Sequence, residues 1–182
     1  MVVESANQSL LQLPNSSKFN TKKNTKKKQT SYNKNLHSRI NYESTPITKK
    51  PFTIFHQNIR GLRNKITELF DSILPHLPHV LCITEHHAKD QEIDTLNIDQ
   101  YALGAKFCRQ KLKQGGSGIF VHESLAFTNI DIQKSCLEQD IEACAVKVTL
   151  QSTVVYIMCI YRAPTGNLGH FLKGLDSILK QV

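Results

Sequence analysis

From Phe52 onward the chain alternates between short apolar runs and polar punctuation, while the first 50 residues show no sustained apolar period. Phe52-Thr53-Ile54-Phe55-His56-Gln57-Asn58 is aromatic and β-branched, which predicts a strand, and Gly61 then permits a sharp turn. Ile66, Leu69, Phe70, Ile73 and Leu74 recur at helical spacing. With Asn64 as N-cap and Pro75 as stop, they predict a helix over roughly 65–74. Val80-Leu81-Cys82-Ile83-Thr84 is continuously apolar and too short for a helix, the mark of a strand buried on both faces, with Glu85 at its carboxyl end. Around Ile93, Leu96 and Ile98 the pattern fits a short helix or an irregular loop equally well.

Further on, Tyr101–Phe107 and Gly118–His122 read as two strands joined by a basic, Gly-rich connection, Arg109 to Gly116, with hairpin chemistry. A second pair, Glu142–Leu150 and Thr153–Tyr161, turns at Gln151-Ser152. Phe171, Leu172, Leu175, Ile178 and Leu179 then form one face of a closing helix. The order β-α-β, antiparallel pairs, helix predicts an α/β sandwich with sheets in the middle and helices outside.

Charge changes this picture by dividing the chain. The formal net charge is +8, and residues 1–50, with nine Lys and Arg39 against Glu4 and Glu43, carry all of it. Residues 51–182 are balanced, with 13 basic and 13 acidic side chains. The break near Lys50 and Pro51 predicts a boundary between a disordered Lys-rich leader (1–50) and one folded domain (51–182), because the leader has too little apolar surface to offset chain entropy. Its densest run, Lys22, Lys23, Lys26, Lys27 and Lys28, suits a nuclear-import signal or an arm on nucleic-acid phosphates, and equally a solvated tail.

No run approaches the roughly 18 apolar residues of a membrane span, and the start lacks a secretory signal pattern, so the expected location is nuclear or cytoplasmic, without membrane or secretion. Five cysteines without a C-x-x-C pair read as reduced core thiols rather than disulfides or a zinc site.

Three positions at strand ends could carry chemistry. Glu85 follows a buried strand, where α/β folds place ligand groups, although a surface Glu opening a loop gives the same pattern. Asn58 precedes a Gly turn and, taken locally, is a turn cap. Tyr161 and Arg162 present a phenol and a guanidinium able to hydrogen-bond phosphate, or else a sheet-edge wedge and a solvent group. His86 and His87 are adjacent, point in different directions, and read as outer partners or exposed side chains rather than joint metal ligands.

The order of blocks narrows these alternatives: Gln57-Asn58-Ile59-Arg60-Gly61-Leu62, Leu81-Cys82-Ile83-Thr84-Glu85-His86-His87, Gly115-Gly116-Ser117-Gly118-Ile119-Phe120-Val121 and Cys159-Ile160-Tyr161-Arg162-Ala163-Pro164. Together they resemble the endonuclease/exonuclease/phosphatase superfamily, and more narrowly the apurinic-type endonuclease domain of LINE-type, Jockey-like non-LTR retrotransposons, over about residues 52–181. The resemblance implies a partial four-layer αββα sandwich. It also implies Mg²⁺, with Mn²⁺ as a substitute, on Glu85, and Asn58 helping to organise the metal and phosphate. Tyr161 would contact the scissile phosphate and Arg162 would assist, with target DNA as the partner and RNA as a second ligand for the leader.

The family also carries a Gly-Asp-x-Asn block and a Ser-Asp-His block, and neither occurs in this sequence. The expectation is therefore a piece of a Mg²⁺-dependent DNA endonuclease, cut before the domain is complete and inactive by itself, since residues that act as a unit fail together. The alternatives are an apurinic-site repair enzyme or another phosphoesterase of the superfamily, and a non-catalytic remnant that binds nucleic acid through its leader.

Overall fold

Alternation along the strands sorts the apolar residues into three separate clusters, and the layers of the molecule follow from them. The computed structural model describes Val3–Glu4 and residues 51–182; the Lys-rich leader, including Lys22, Lys23, Lys26, Lys27 and Lys28, lies outside the described residues apart from that two-residue strand. The elements are β1 (Val3–Glu4), β2 (Ile54–Asn58), α1 (Ile66–Ile73), β3 (Val80–Thr84), α2 (Asp90–Ile93), β4 (Tyr101–Phe107), β5 (Ser117–His122), β6 (Ala126–Ile130), β7 (Glu142–Thr149), β8 (Val154–Tyr161) and α3 (Leu168–Leu179).

Two sheets form, a five-stranded one in the order β1-β2-β3-β5-β4 and a three-stranded one in the order β6-β7-β8. β2 and β3 pair in parallel, with Asn58 opposite Thr84, and β3 and β5 pair antiparallel, with Thr84 opposite Ser117. This central position buries every residue of β3 and explains its unbroken apolar run. In the second sheet β7 and β8 pair over their full length, from Glu142 opposite Tyr161 to Thr149 opposite Val154.

Val80, Cys82, Ile119 and Val121 point from the first sheet toward Cys144, Val146, Val148, Ile157 and Cys159 of the second, closing the sandwich. Leu81, Ile83 and Phe120 turn the other way and meet Leu69 and Ile73 of α1. Ile141, Ala143, Ala145, Met158 and Ile160 meet Phe171, Leu175 and Ile178 of α3. Layers therefore run helix, sheet, sheet, helix, a mixed α/β architecture of the kind expected. Each fully buried Leu or Ile contributes about 1.5–3 kcal/mol relative to exposure, so slipping β3 by one residue would exchange two apolar faces at once.

Several local expectations need correction. Asn64 is not a helix cap: Arg63–Lys65 form a 3₁₀ turn that feeds directly into α1, and Lys65 takes the cap position without a side-chain bond to the helix end. The stretch around Ile93, Leu96 and Ile98 starts with the one-turn helix α2 and continues as loop. β6 was not anticipated, because its sequence, Ala126-Phe127-Thr128-Asn129-Ile130, is half polar. It is an edge strand, held by its ladder to β7. On α3 only Phe171, Leu175 and Ile178 reach the core, while Leu172 and Leu179 are exposed. All five cysteines are free thiols, as expected, four of them buried. Among the described residues no helix is long and apolar enough to cross a membrane.

Candidate active site

The parallel pairing of β2 with β3 sets their carboxyl ends side by side, so the loops that follow start from one edge. The ladder continues into these loops: Ile59 N bonds Thr84 O at 3.0 Å, Gly61 N bonds Glu85 O at 2.8 Å, and Leu62 N bonds His86 O at 3.0 Å. From the other side, Glu85 N donates to Gly116 O at 2.8 Å and His87 N to Gly115 O at 3.0 Å. Glu85 thus sits between two strands of loop backbone, with its own backbone in the left-handed region at φ 54°. Arg60 (φ 48°) and His87 (φ 61°) are left-handed as well. Non-glycine residues in this region cost about 1–2 kcal/mol each, a strain that the surrounding hydrogen bonds hold in place.

Three expected residues come together here. Asn58 Nδ2 donates to Glu85 Oε1 at 2.8 Å. Tyr161, at the end of β8, directs its phenol toward the same carboxylate, which joins the second sheet to the site. His87 Nε2 lies 3.6 Å from Glu85 Oε2, and this nitrogen is buried with no hydrogen-bond partner. Burial pushes the Glu85 carboxyl up, but the bonds from Asn58 and Tyr161 and the charges of His87 and Arg60 outweigh it and hold the group below its ordinary range. The Tyr161 phenol is pushed up to about 12 by burial and by the neighbouring Glu85 carboxylate, so it remains a neutral donor.

Arg162 does not join them. Its Nη1 donates to Gly166 O at 2.8 Å, bracing the loop ahead of α3, and the guanidinium is a structural clamp rather than part of the cluster. His86, although adjacent to Glu85, turns into the core: Nε2 bonds Phe107 O at 3.0 Å and Nδ1 accepts from Ala88 N at 3.0 Å. Burial lowers its pKa, which keeps the ring neutral. The two histidines do diverge, one inward and one beside the carboxylate.

Support comes from two residues that the motifs did not single out. Glu142, fully buried at the start of β7, pairs with Arg109 (Oε1 to Nε 2.6 Å, to Nη2 2.5 Å). It also accepts from Gly116 N at 2.6 Å and from Gln139 N at 2.7 Å. Gly116 therefore connects Glu142 to the Glu85 backbone. A side chain at Gly116 (φ +91°) would meet His86 Nε2 at 2.4 Å, and one at Gly115 (φ +70°) would meet Arg109 Nε at 2.3 Å, so both glycines are required by contact as well as by conformation. The sequence carried little signal for the pair, an arginine just past β4 and a glutamate opening the mostly apolar β7.

A cleft of about 330 Å³ is lined by Arg60, Arg63, Asn64, Lys65, His87 and Glu92, and Glu85, Asn58 and Tyr161 are not among its walls. Arg63 is tied to Glu92, and Lys65 Nζ to Ile59 O at 2.7 Å. Among the described residues no three His, Cys, Asp or Glu side chains converge as a metal centre. The oxygen donors available are the Glu85 carboxylate and the Asn58 amide, which fit a hard, oxygen-preferring dication that keeps most of its waters, and the His87 Nε2 nitrogen beside them is a single imidazole donor.

No family model and no curated protein matches the sequence at a significant level. The fold is similar to a solved structure, the endonuclease domain of TRAS1, a telomere-specific non-LTR retrotransposon. The match has a TM-score of 0.55 at 11% identity and covers 71% of this chain and 54% of that one. This chain spans about half the length of that domain, and the likeness is one of fold, that of the endonuclease/exonuclease/phosphatase type.

Proposed function

We propose that the chain forms the Glu85 side of a divalent-metal-dependent phosphodiesterase site that takes DNA, in the manner of a retrotransposon endonuclease. The observation that carries this reading is the convergence of Asn58, Tyr161 and His87 on one ionised carboxylate at the shared carboxyl edge of β2 and β3. The fold likeness to an endonuclease domain supports it.

Glu85 would hold Mg²⁺ or Mn²⁺ through its carboxylate, with Asn58 keeping that carboxylate oriented and charged. When bound, the metal would supply charge stabilisation on a phosphoryl oxygen. Tyr161, neutral across the physiological range, has one hydroxyl proton, directed at Glu85 in this structure, and would turn it to the phosphate when substrate and metal occupy the site. Arg60, whose charge already acts on the Glu85 carboxylate, would add positive potential near a bound phosphate.

The Gly-Asp-x-Asn and Ser-Asp-His blocks that the resemblance calls for do not occur in this sequence, so we assign the 182-residue polypeptide metal and DNA binding without efficient turnover. The Lys-rich leader would add non-specific affinity for DNA or RNA and would suit a protein that works in the nucleus.

Mn²⁺ binding, followed by the paramagnetic enhancement of water relaxation, tests the site directly. The wild-type chain is expected to bind one ion with an affinity that Glu85→Ala abolishes, while supercoiled plasmid stays intact with both proteins. Equal Mn²⁺ binding by Glu85→Ala would remove the basis of the proposal.

A further inference from the structure

The connection from β4 to β5, residues 108–116, is irregular and exposed at its tip, yet it is fastened from both sides. Glu138 accepts three successive backbone amides, Gln110 N at 2.6 Å, Lys111 N at 3.0 Å and Leu112 N at 2.8 Å. Lys89 Nζ donates to three carbonyls of the same stretch, Arg109 O at 2.6 Å, Gln110 O at 3.2 Å and Leu112 O at 3.3 Å. Arg109, locked to Glu142, reaches Lys113 O at 3.0 Å.

Successive amides that converge on an anion form a nest, and here the protein's own carboxylate fills it. The loop backbone is thereby consumed internally. Facing solvent are Lys111, Leu112 and Lys113, with Gln110 and Gln114 on either side; Leu112 is 41% exposed, and among the described residues no hydrogen bond or ion pair engages either ammonium group.

Such anchoring is more than a connection between two strands needs, since a tight turn would serve. Its physical effect is to hold two cations and an apolar tip in place before any partner arrives, which spares the ordering entropy that weakens binding by mobile loops. The root of the loop is Gly115-Gly116, whose carbonyls accept from the His87 and Glu85 amides, so Lys113 lies within about 11 Å of chain from Gly116, the residue that bonds the Glu85 backbone.

We infer that residues 109–114 form a preformed arm that docks on the backbone of duplex DNA, with Lys111 and Lys113 on phosphates beside the one at Glu85 and Leu112 against the sugars between them. The inference rests on the reading of Glu85 as a phosphodiester site and adds to it a second contact surface with its own test.

The full chain, in EDTA, is titrated into a fluorescein-labelled DNA duplex over a series of salt concentrations, with anisotropy as the readout. The leader contributes equally to every variant and cancels in the differences. K111A/K113A, at two exposed positions, is expected to lower the slope of log affinity against log salt by about 2, close to 0.9 for each lost phosphate contact.

Glu138→Ala separates a rigid arm from loose surface charge. It removes a negative charge, so electrostatics alone would tighten binding, whereas release of the arm is expected to weaken it several-fold at an unchanged slope. Circular dichroism confirms the fold of each variant. An unchanged slope in K111A/K113A, or binding by folded Glu138→Ala as tight as wild type, would overturn the inference, as would preferential loss of polyglutamate binding with duplex binding intact. The Glu85 reading fails separately, on Mn²⁺ binding, and these EDTA measurements are independent of it.

Discussion

Asn58 and Glu85 stand 27 residues apart in sequence, and the amide of one donates to the carboxylate of the other at 2.8 Å because β2 and β3 run parallel and end at the same level. Replacing Asn58 by Ala removes a donor that favours the ionised form, so the burial contribution gains weight and the Glu85 pKa should rise. Metal affinity near neutral pH should fall about 10–100-fold, the usual effect of losing a partner that orients a ligand. Carboxyl-selective NMR titration of Glu85 reads the first effect and Mn²⁺ binding the second. A Glu85 titration unchanged in Asn58→Ala would show that the hydrogen bond does not set the charge state.

The Arg109–Glu142 pair predicts a large asymmetric penalty. Glu142→Ala strips the buried guanidinium of its partner and frees the Gly116 amide, and it should cost about 3–5 kcal/mol, enough to threaten folding. Replacing both residues with apolar side chains of similar size should cost far less, although the bonds to Gly116 and Gln139 are lost too. Urea unfolding of the two single variants and the double variant measures the coupling. Additive losses would mean that the pair is not an energetic unit.

Gly116→Ala should destabilise by more than the roughly 1–2 kcal/mol that a left-handed backbone alone costs, because the added methyl would also lie 2.4 Å from His86 Nε2. Gly118→Ala, where the nearest atom is 3.5 Å away, is the matched control and should be much milder. Thermal unfolding of the two variants checks the contrast. Equal shifts would show that the His86 contact relaxes freely.

The protein should lose stability as pH falls below about 6.5. His86 is buried with its pKa below the ordinary 6.5, so as pH drops through that value the unfolded chain takes up a proton that the native ring refuses. Stability from this group is fully present above 6.5 and is lost below it, at up to about 1.4 kcal/mol per pH unit for one proton until the folded pKa is reached. His56 and His122 are shifted the same way by burial and add to the trend. Urea unfolding across the range pH 5 to 8 tests this, and His86→Gln should flatten part of the dependence. A profile equally steep in His86→Gln would place the effect elsewhere.

Where side-chain pattern alone sets the outcome, the sequence determined it: β3 from its unbroken apolar run, α1 from its helical spacing, the β7–β8 hairpin from its turn, and the mixed α/β class from their order. Glu85, Asn58 and Tyr161 were readable as candidates because each closes a strand. Only the tertiary structure decided that they meet, since that depends on which strands pair and in what register. β6 stayed hidden because an edge strand draws its stability from a neighbour's ladder rather than from its own pattern. Leu172 and Leu179 misled for the opposite reason: helical spacing marks an apolar face but not how much of it a sheet will cover. Arg162 donates to the loop ahead of α3, and Arg109 and Glu142, which no motif picked out, form the buried support of the site. An isolated charge has no periodicity. Its role depends on what long-range packing brings within hydrogen-bond distance, which no local stretch of sequence specifies.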